Sequence, residues 1–283
     1  MRDAAAPETC ELADGRVLAY DELGDPDGTC VISCHGGLSS RLDVAPAHDA
    51  AQRLGIRLIA PDRPGVGGST IQPGRTLLDW PTDVAALADH LGVDRFAVMG
   101  WSLGGQYAMA CAAALPQRVS ALAVVAGCLP PTWPEMLDEL NRMDRKLLGL
   151  SENHPRTARS IFHLMHATAE HAPKAMAKQS GVSGDTGRDV TTAIAEGLHD
   201  AEGVRIEYEV FGAPWGFEPE DVTVRADVWQ GDADDLVPAS WGERLAAAMP
   251  HATLHAVPGA THFLWYDHWD EILGSLVGST GPA

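Results

Sequence analysis

The sequence predicts an α/β fold, with a mostly parallel β-sheet and helices on both of its faces. Two observations predict this class. Short apolar runs alternate with longer segments in which apolar residues recur at helical spacing, and this alternation is typical of βαβ units. The alternation also stops once and later resumes, which indicates that a helical segment is inserted into the sheet-forming part of the chain.

The first half of the chain predicts a hairpin followed by alternating strands and helices. The hairpin joins residues 8–12 to residues 17–21 around Asp14-Gly15, a dipeptide that favours tight turns. Compact apolar runs predict the other strands, and apolar residues at helical spacing predict the helices. In order, these are a strand at 30–34, a helix at 45–54, a strand at 57–60, a helix at 77–91, a strand at 96–99, a helix at 106–115 and a strand at 121–126.

The region after Pro130-Pro131 predicts helices and no buried strand. Three helical patterns occur there, formed by Met136, Leu137, Leu140, Met143, Leu147 and Leu148, then by Ile161, Phe162, Leu164 and Met165, and then by residues 190–198. The composition of residues 180–187 indicates a loop. The alternation then resumes with a strand at 222–229, a helix at 240–249, a strand at 253–257 and a helix at 269–276. We therefore predict a discontinuous core, residues 1–130 and 217–283, and a helical cap, residues 131–216.

The charge of the chain excludes several kinds of partner. The net charge is −19, from 39 acidic and 20 basic residues, so we expect neither nucleic acid nor an anionic membrane surface to bind. No window approaches the length of about 20 apolar residues that a membrane helix needs. Residues 1–9 lack an apolar stretch of signal-peptide length, so we expect a cytoplasmic protein. The oligomeric state is not predicted.

The cysteines predict no disulfide framework and no metal centre. The five cysteines are an odd number, lie in apolar or strand-like surroundings and form no C-x-x-C motif or mixed Cys/His ligand spacing. We therefore expect buried, reduced thiols.

Gly100-Trp101-Ser102-Leu103-Gly104 is the most informative motif. A G-x-S-x-G sequence between a predicted strand and a predicted helix is the signature of a nucleophile elbow. The turn is tight, so it needs small residues on both sides of the serine. The serine hydroxyl then projects over the end of the sheet, at the N-terminus of a helix.

A serine hydroxyl is a poor nucleophile at neutral pH and needs a base, which in turn needs an orienting group. Asp232, Asp234 and Asp235 follow the predicted strand at 222–229, and His262 follows the strand at 253–257. Loops that follow parallel strands meet at the carboxyl edge of the sheet, where Ser102 is also expected. The spacing alone does not distinguish the three aspartates.

Other residues leave two interpretations open. His35-Gly36-Gly37 follows the strand at 30–34, and its glycines either present backbone N–H groups to an oxyanion or form a simple turn. Trp101 either lines an acyl pocket or fills the core. Four methionines of the inserted region are expected in its core rather than against substrate: Met136, Met143, Met165 and Met176. Four of its histidines are expected on solvated helix faces: His154, His163, His166 and His171.

The chain resembles the α/β-hydrolase superfamily, in a form with a helical cap, over nearly its whole length. The matching pieces are residues 35–37, 62–69, 100–105, 231–238 and 259–263. The resemblance implies that Ser102 is the nucleophile and His262 the general base. It implies an oxyanion hole formed by the backbone N–H groups of Gly37 and Leu103. In the family the acid lies four residues before a proline, which matches Asp234, and the loop at 62–69 mainly shapes the fold.

These residues predict a serine hydrolase of esterase type that acts on a small, partly apolar molecule without a metal or an organic cofactor. Alternatives with the same triad are a proline-iminopeptidase-like amidase, a carbon–carbon bond hydrolase, and an acyltransferase or cyclase of a secondary-metabolite pathway. Epoxide hydrolases and haloalkane dehalogenases need a carboxylate nucleophile, so Ser102 argues against both. A ligand-binding receptor on the same fold is the non-enzymatic alternative. The identity of the substrate is not predicted.

Overall fold

The computed structural model describes residues 6–278 and contains one eight-stranded sheet. The strands are β1 (Glu8–Glu11), β2 (Val17–Gly24), β3 (Thr29–Cys34), β4 (Ile56–Pro61), β5 (Phe96–Trp101), β6 (Val119–Val125), β7 (Ala226–Gly231) and β8 (Ala252–Val257). Their order in the sheet is β1-β2-β4-β3-β5-β6-β7-β8. β1 and β2 form the predicted antiparallel hairpin, β2 pairs antiparallel with β4, and every later pair is parallel. The predicted α/β class is confirmed.

Helices cover both faces of this sheet because successive side chains of a strand point to opposite faces. Ile32 and Val98 pack on one face in a large cluster with the helices α2 (Trp80–His90), α3 (Gly104–Ala114) and α10 (Ala239–Ala248). Their neighbours in the sequence, Val31 and Ala97, pack on the other face with α1 (His48–Arg53) and α11 (Trp269–Val277). The central strands are therefore buried on both sides, as the compact apolar runs predicted.

Between β6 and β7, the described chain forms six helices where three were predicted. They are α4 (Pro134–Glu139), α5 (Arg142–Asn153), α6 (Pro155–His171), α7 (Pro173–Gln179), α8 (Gly184–Gly197) and α9 (Ala201–Gly212). The single helical face predicted from Met136 to Leu148 is wrong, because these residues lie on two helices, α4 and α5. Asn141 caps the N-terminus of α5, where its side chain accepts a hydrogen bond from the backbone N–H of Asp144. The predicted loop at 180–187 is wrong from Gly184 onwards, where α8 begins, and α9 was not predicted.

Smaller differences occur at element boundaries. Pro46 lies in a 3-10 helix (Arg41–Ala47), so the predicted helix at 45–54 is α-helical only from His48. A 3-10 turn at Pro219–Asp221 precedes β7, which begins at Ala226 rather than at residue 222. The division into a core and a cap at 130/131 and 216/217 stays a prediction, and the ends of that core, residues 1–5 and 279–283, lie outside the described residues.

All five cysteines are buried and free, as predicted. Within residues 6–278, no helix combines the length and the hydrophobicity that a membrane crossing requires.

Candidate active site

Ser102 occupies a tight turn between β5 and α3. Its φ of +54° lies in the left-handed region, which costs a non-glycine residue about 1–2 kcal/mol. A Cβ atom at Gly100 would lie 2.2 Å from the carbonyl oxygen of Gly104, and one at Gly104 would lie 2.1 Å from that of Cys34. Both positions therefore require glycine, which is the structural reason for the small residues of the motif.

The structure brings Ser102, His262 and Asp234 into one chain of hydrogen bonds. Ser102 Oγ lies 2.9 Å from His262 Nε2, and His262 Nδ1 lies 2.9 Å from Asp234 Oδ2. A carboxylate only accepts hydrogen bonds, so Nδ1 carries the proton and Nε2 is free to accept from the serine hydroxyl. The three residues follow β5, β8 and β7 respectively, and they meet at the carboxyl edge of the sheet.

The surroundings distinguish Asp234 from its two neighbours. Its side chain is fully buried, and its Oδ1 accepts hydrogen bonds of 2.9 Å from the backbone N–H groups of both Leu236 and Val237. Asp232 is exposed and accepts instead from the backbone N–H of Gly259, at 2.6 Å. Asp235 is also exposed, at the edge of the cavity described below. Among these three carboxylates, only that of Asp234 contacts His262.

Trp101 holds the histidine loop and also forms part of the core. Its indole N–H donates to the backbone carbonyl of His262 at 2.9 Å, and its ring stacks on Trp265 with centroids 4.7 Å apart. The same side chain lines the cavity beside Ser102. Trp101 is therefore a core residue that also lines the cavity, and its contact with an acyl group stays a prediction.

The two predicted oxyanion donors lie beside the serine. Gly37 and Leu103 line the same cavity as Ser102, and a Cβ atom added to Gly37 would lie 3.3 Å from the Leu103 side chain. Neither backbone N–H group donates to a protein acceptor in the part of the chain that the structure describes. Both donors are therefore available to a ligand.

A cavity of about 230 Å³ opens over Ser102, between the sheet edge and the inserted helices. The inserted region contributes about half of its apolar wall, through residues that include Leu140, Met143, Met165, Met176, Ile194 and Phe211. Three of the four methionines expected in the core of the inserted region thus contact the cavity, and only Met136 is a core residue away from it. Among the described residues, none of His154, His163, His166 and His171 lines this cavity.

Carboxyl groups dominate the charge of this cavity. Asp43, Asp144 and Asp235 line it, and no lysine or arginine within residues 6–278 does. Nothing in the sequence distinguishes Asp43 and Asp144 from surface acids, so they were missed. In Asp144, Oδ1 accepts from the Tyr208 hydroxyl at 2.7 Å, and Oδ2 accepts from Asn141 at 2.7 Å.

Asp43 and Tyr266 each present a buried polar atom that has no partner among residues 6–278. Asp43 Oδ2 accepts from the backbone N–H of Gly36 at 2.9 Å and from Ser39 at 3.2 Å, whereas Oδ1 has no partner within the described chain. Burial raises the pKa of the Asp43 carboxyl to about 7. The Tyr266 hydroxyl is likewise buried without a partner there. Across residues 6–278, no three His, Cys, Asp or Glu side chains form a group that could hold a metal ion.

Comparison with known proteins finds the same fold. Residues 29–268 match the family model described as the alpha/beta hydrolase fold. The enol-lactonase of Burkholderia xenovorans LB400 superposes with a TM-score of 0.74 at 19% identity, over 96% of this chain and 100% of that one.

Curated relatives include enzymes of different activity. A pimeloyl-[acyl-carrier protein] methyl ester esterase of Chromobacterium violaceum is 28% identical over 92% of this chain and 96% of its own length. A proline iminopeptidase of Xanthomonas citri is 27% identical, over 89% of each chain. An acetyltransferase component of the acetoin cleaving system of Pseudomonas putida is 38% identical over 43% of this chain, a match that spans only 32% of that protein's length. The family model, however, spans most of the chain, which therefore belongs to the alpha/beta hydrolase fold family.

Proposed function

We propose that this hydrolase cleaves ester-type bonds of small, partly apolar molecules through an acyl-enzyme on Ser102. The observation that carries the proposal is the hydrogen-bonded chain from Ser102 Oγ through His262 to Asp234. A serine so paired has a base within reach of its proton, and that base has a buried carboxylate that fixes its tautomer.

In the acylation step, Ser102 Oγ attacks the carbonyl carbon of the ester while His262 Nε2 takes the hydroxyl proton. The carbonyl oxygen becomes an oxyanion, which accepts hydrogen bonds from the backbone N–H groups of Gly37 and Leu103. His262 then gives the proton to the leaving alcohol as the carbon–oxygen bond breaks. The Asp234 carboxylate stabilises the imidazolium that exists between these two proton transfers.

In the deacylation step, a water molecule takes the place of the alcohol. His262 Nε2 removes a proton from the water as its oxygen attacks the acyl carbon, and the same oxyanion site is used again. Collapse of the second intermediate returns the proton to Ser102 Oγ and releases the carboxylic acid. No step needs a metal or an organic cofactor.

We further propose that residues 131–216 act as a cap that selects the substrate, since they supply about half of the apolar cavity wall, including its three methionines. The strongly negative net charge supports a small-molecule substrate rather than nucleic acid, and we propose a cytoplasmic location. An amidase is the second candidate, because the iminopeptidase relative matches over 89% of each chain.

A fluorophosphonate probe tests the proposal and separates an enzyme from a ligand-binding receptor. We expect stoichiometric labelling, because the probe's phosphorus requires a serine that a base has activated. The labelled peptide should contain Ser102, and Ser102→Ala should abolish the labelling. An unlabelled wild-type protein, or labelling that survives in Ser102→Ala, contradicts the proposed acyl-enzyme. A panel of p-nitrophenyl esters and p-nitroanilides then distinguishes the esterase from the amidase.

The carboxylates of Asp144 and Asp235 in the cavity predict discrimination by substrate charge. Two charges about 5 Å apart interact by about 3 kcal/mol at an effective dielectric constant of 20. Among p-nitrophenyl esters of equal acyl length, we therefore expect kcat/KM to be at least tenfold lower for an acyl chain ending in carboxylate than for one ending in methyl. An ammonium-ended chain should be hydrolysed at least as well as the methyl-ended one.

Asp144→Asn is the matched variant for this measurement, because asparagine keeps the volume and one acceptor oxygen but removes the charge. It should reduce the discrimination between the carboxylate and methyl esters. Equal kcat/KM values for the two esters in the wild type would show that the cavity does not select by charge, without affecting the proposed acyl-enzyme.

A further inference from the structure

A buried group of charges lies behind the loop that carries Gly37. The Glu207 carboxylate, on α9, accepts hydrogen bonds from Arg63 Nε at 2.8 Å and from the Tyr107 hydroxyl at 3.0 Å, and it also pairs with Arg75. The Arg63 side chain is 0% exposed and that of Glu207 is 7% exposed. The two arginines hold the pKa of Glu207 well below its usual range, against the effect of its burial. The loss of hydration of buried charges largely offsets their attraction, so a gain in stability does not account for this ion-pair group. We therefore ask which part of the site the group holds in place.

The rest of the Arg63 guanidinium holds the loop itself. Nη2 donates to the backbone carbonyl of Gly36 at 3.0 Å, and Nη1 donates to the carbonyl of His35. The backbone N–H of Arg63 donates to His35 Nε2 at 3.1 Å. Burial and the neighbouring Arg63 charge lower the pKa of His35 well below its ordinary value, so its ring is neutral. Its single proton therefore lies on Nδ1, which donates to the Gly36 carbonyl at 2.9 Å.

These contacts act directly on the predicted oxyanion donor. The carbonyl of Gly36 and the N–H of Gly37 belong to one planar peptide unit, so fixing the direction of the carbonyl fixes that of the N–H. The preceding peptide unit is held as well, because the Gly36 N–H donates to Asp43 Oδ2. A cationic donor on the carbonyl also polarises the peptide and strengthens its N–H as a donor.

We propose that Arg63 is a positioning residue for the oxyanion hole, and that Glu207 holds it there, so that α9 of the inserted helices sets the orientation of the Gly37 N–H. This inference rests on the proposed function, in which that N–H binds the oxyanion. It assigns a role to the loop at 62–69, to which the family resemblance gave no chemistry. Two neighbours of Glu207 on α9, Tyr208 and Phe211, line the substrate cavity.

The chain offers a control for Glu207 in a more exposed ion pair, since the Glu196 side chain is 36% exposed and that of Glu207 is 7% exposed. Arg41 Nη1 pairs with Glu196 of α8 at 2.7 Å and with Asp62 at 2.8 Å. This is also an ion pair between an inserted helix and the first part of the chain, but neither Arg41 nor Glu196 hydrogen-bonds the backbone of residues 35–37 within the described chain. Glu196→Gln therefore tests the loss of such an ion pair without the loss of the loop contact.

The experiment compares Glu207→Gln, Arg63→Lys and Glu196→Gln. Steady-state kinetics on a p-nitrophenyl ester gives kcat and KM. Inhibition by an alkyl trifluoromethyl ketone reports on the oxyanion hole, because Ser102 Oγ adds to its carbonyl carbon and the carbonyl oxygen becomes a tetrahedral oxyanion. We expect Glu207→Gln to lower kcat at least tenfold and to leave KM within about twofold of the wild type. The affinity for the ketone should fall by a factor similar to the loss in kcat.

Arg63→Lys should also lower kcat and the affinity for the ketone. An ammonium group cannot reproduce the planar guanidinium that donates to two carbonyls and a carboxylate. Glu196→Gln should change kcat and ketone affinity less than twofold. Thermal unfolding of each variant checks that it is folded at the assay temperature. If Glu207→Gln is unfolded there, Arg63→Lys is compared with Glu196→Gln in its place.

Unchanged ketone affinity in both variants, with normal wild-type turnover, overturns this inference alone. Equal losses in Glu207→Gln and Glu196→Gln also overturn it, because they would indicate a general loss of packing. A wild-type protein that neither hydrolyses any ester nor binds the ketone overturns the proposed function, and this inference with it.

Discussion

Ser102→Ala and His262→Ala are each expected to lower kcat/KM on an activated ester by about 10⁴–10⁶-fold. The first variant removes the atom that is proposed to form the acyl-enzyme. The second removes the proposed base, His262 Nε2, which lies 2.9 Å from Ser102 Oγ and would accept its proton. The double variant should be no worse than either single one, because the two residues act as a unit. Initial rates on p-nitrophenyl acetate and butyrate measure the effect.

His255→Ala is the control for the loss of a carboxylate-paired histidine. His255 Nε2 lies 2.7 Å from Asp227 Oδ1 in the β7–β8 pair and stacks on Trp229, but it does not line the cavity. Its removal should leave kcat/KM within about threefold of the wild type. Undiminished turnover in Ser102→Ala or in His262→Ala would contradict the proposed acyl-enzyme mechanism.

Asp234→Asn is expected to lower kcat by about 10⁴-fold with little change in KM. Asparagine keeps the oxygen that accepts from Leu236 and Val237, so the loop should keep its conformation. Its amide nitrogen, however, would donate to His262 Nδ1 and favour the tautomer that carries the proton on Nε2. That tautomer cannot take the serine proton.

Asp232→Asn and Asp235→Asn are the matched controls within the same loop. Neither side chain contacts His262 within the described residues, so both variants should retain kcat on an uncharged ester within about threefold, although Asp235 lines the cavity. A loss in Asp232→Asn as large as that in Asp234→Asn would show that the acid has been assigned wrongly. Circular dichroism of all three variants confirms that the comparison is between folded proteins.

The sequence predicts those features of the fold and site that short stretches of chain determine. The strands are compact apolar runs, and the turn at Ser102 depends on glycines within two residues of it. The histidine and aspartate loops follow strands whose parallel pairing brings them to one edge. Choosing Asp234 among three aspartates needed the family pattern, because burial and backbone donors depend on the conformation of the loop.

The features that the sequence did not predict depend on contacts between distant segments. Apolar periodicity identifies the apolar side of a helix but does not distinguish a core from a cavity. It therefore predicts core positions for Met143, Met165 and Met176, which line the cavity instead. Asp43 resembles any surface acid until its burial is known. The role of Arg63 depends on Glu207, which lies on another helix far along the chain. The side chain of Asn141 caps a helix and so divided one apolar pattern into two helices.

The adjacency of β6 and β7 has a consequence for the order in which the site forms during synthesis. Val125 of β6 pairs with Trp229 of β7, so every inserted helix lies within the loop that this pairing closes. Closing a flexible loop of about 100 residues costs on the order of 4 kcal/mol of chain entropy. The strained turn at Ser102 belongs to the part of the chain made first, whereas Asp234 and His262 emerge only after the inserted helices. During synthesis, Ser102 therefore has no histidine partner until β7 and β8 have joined the sheet.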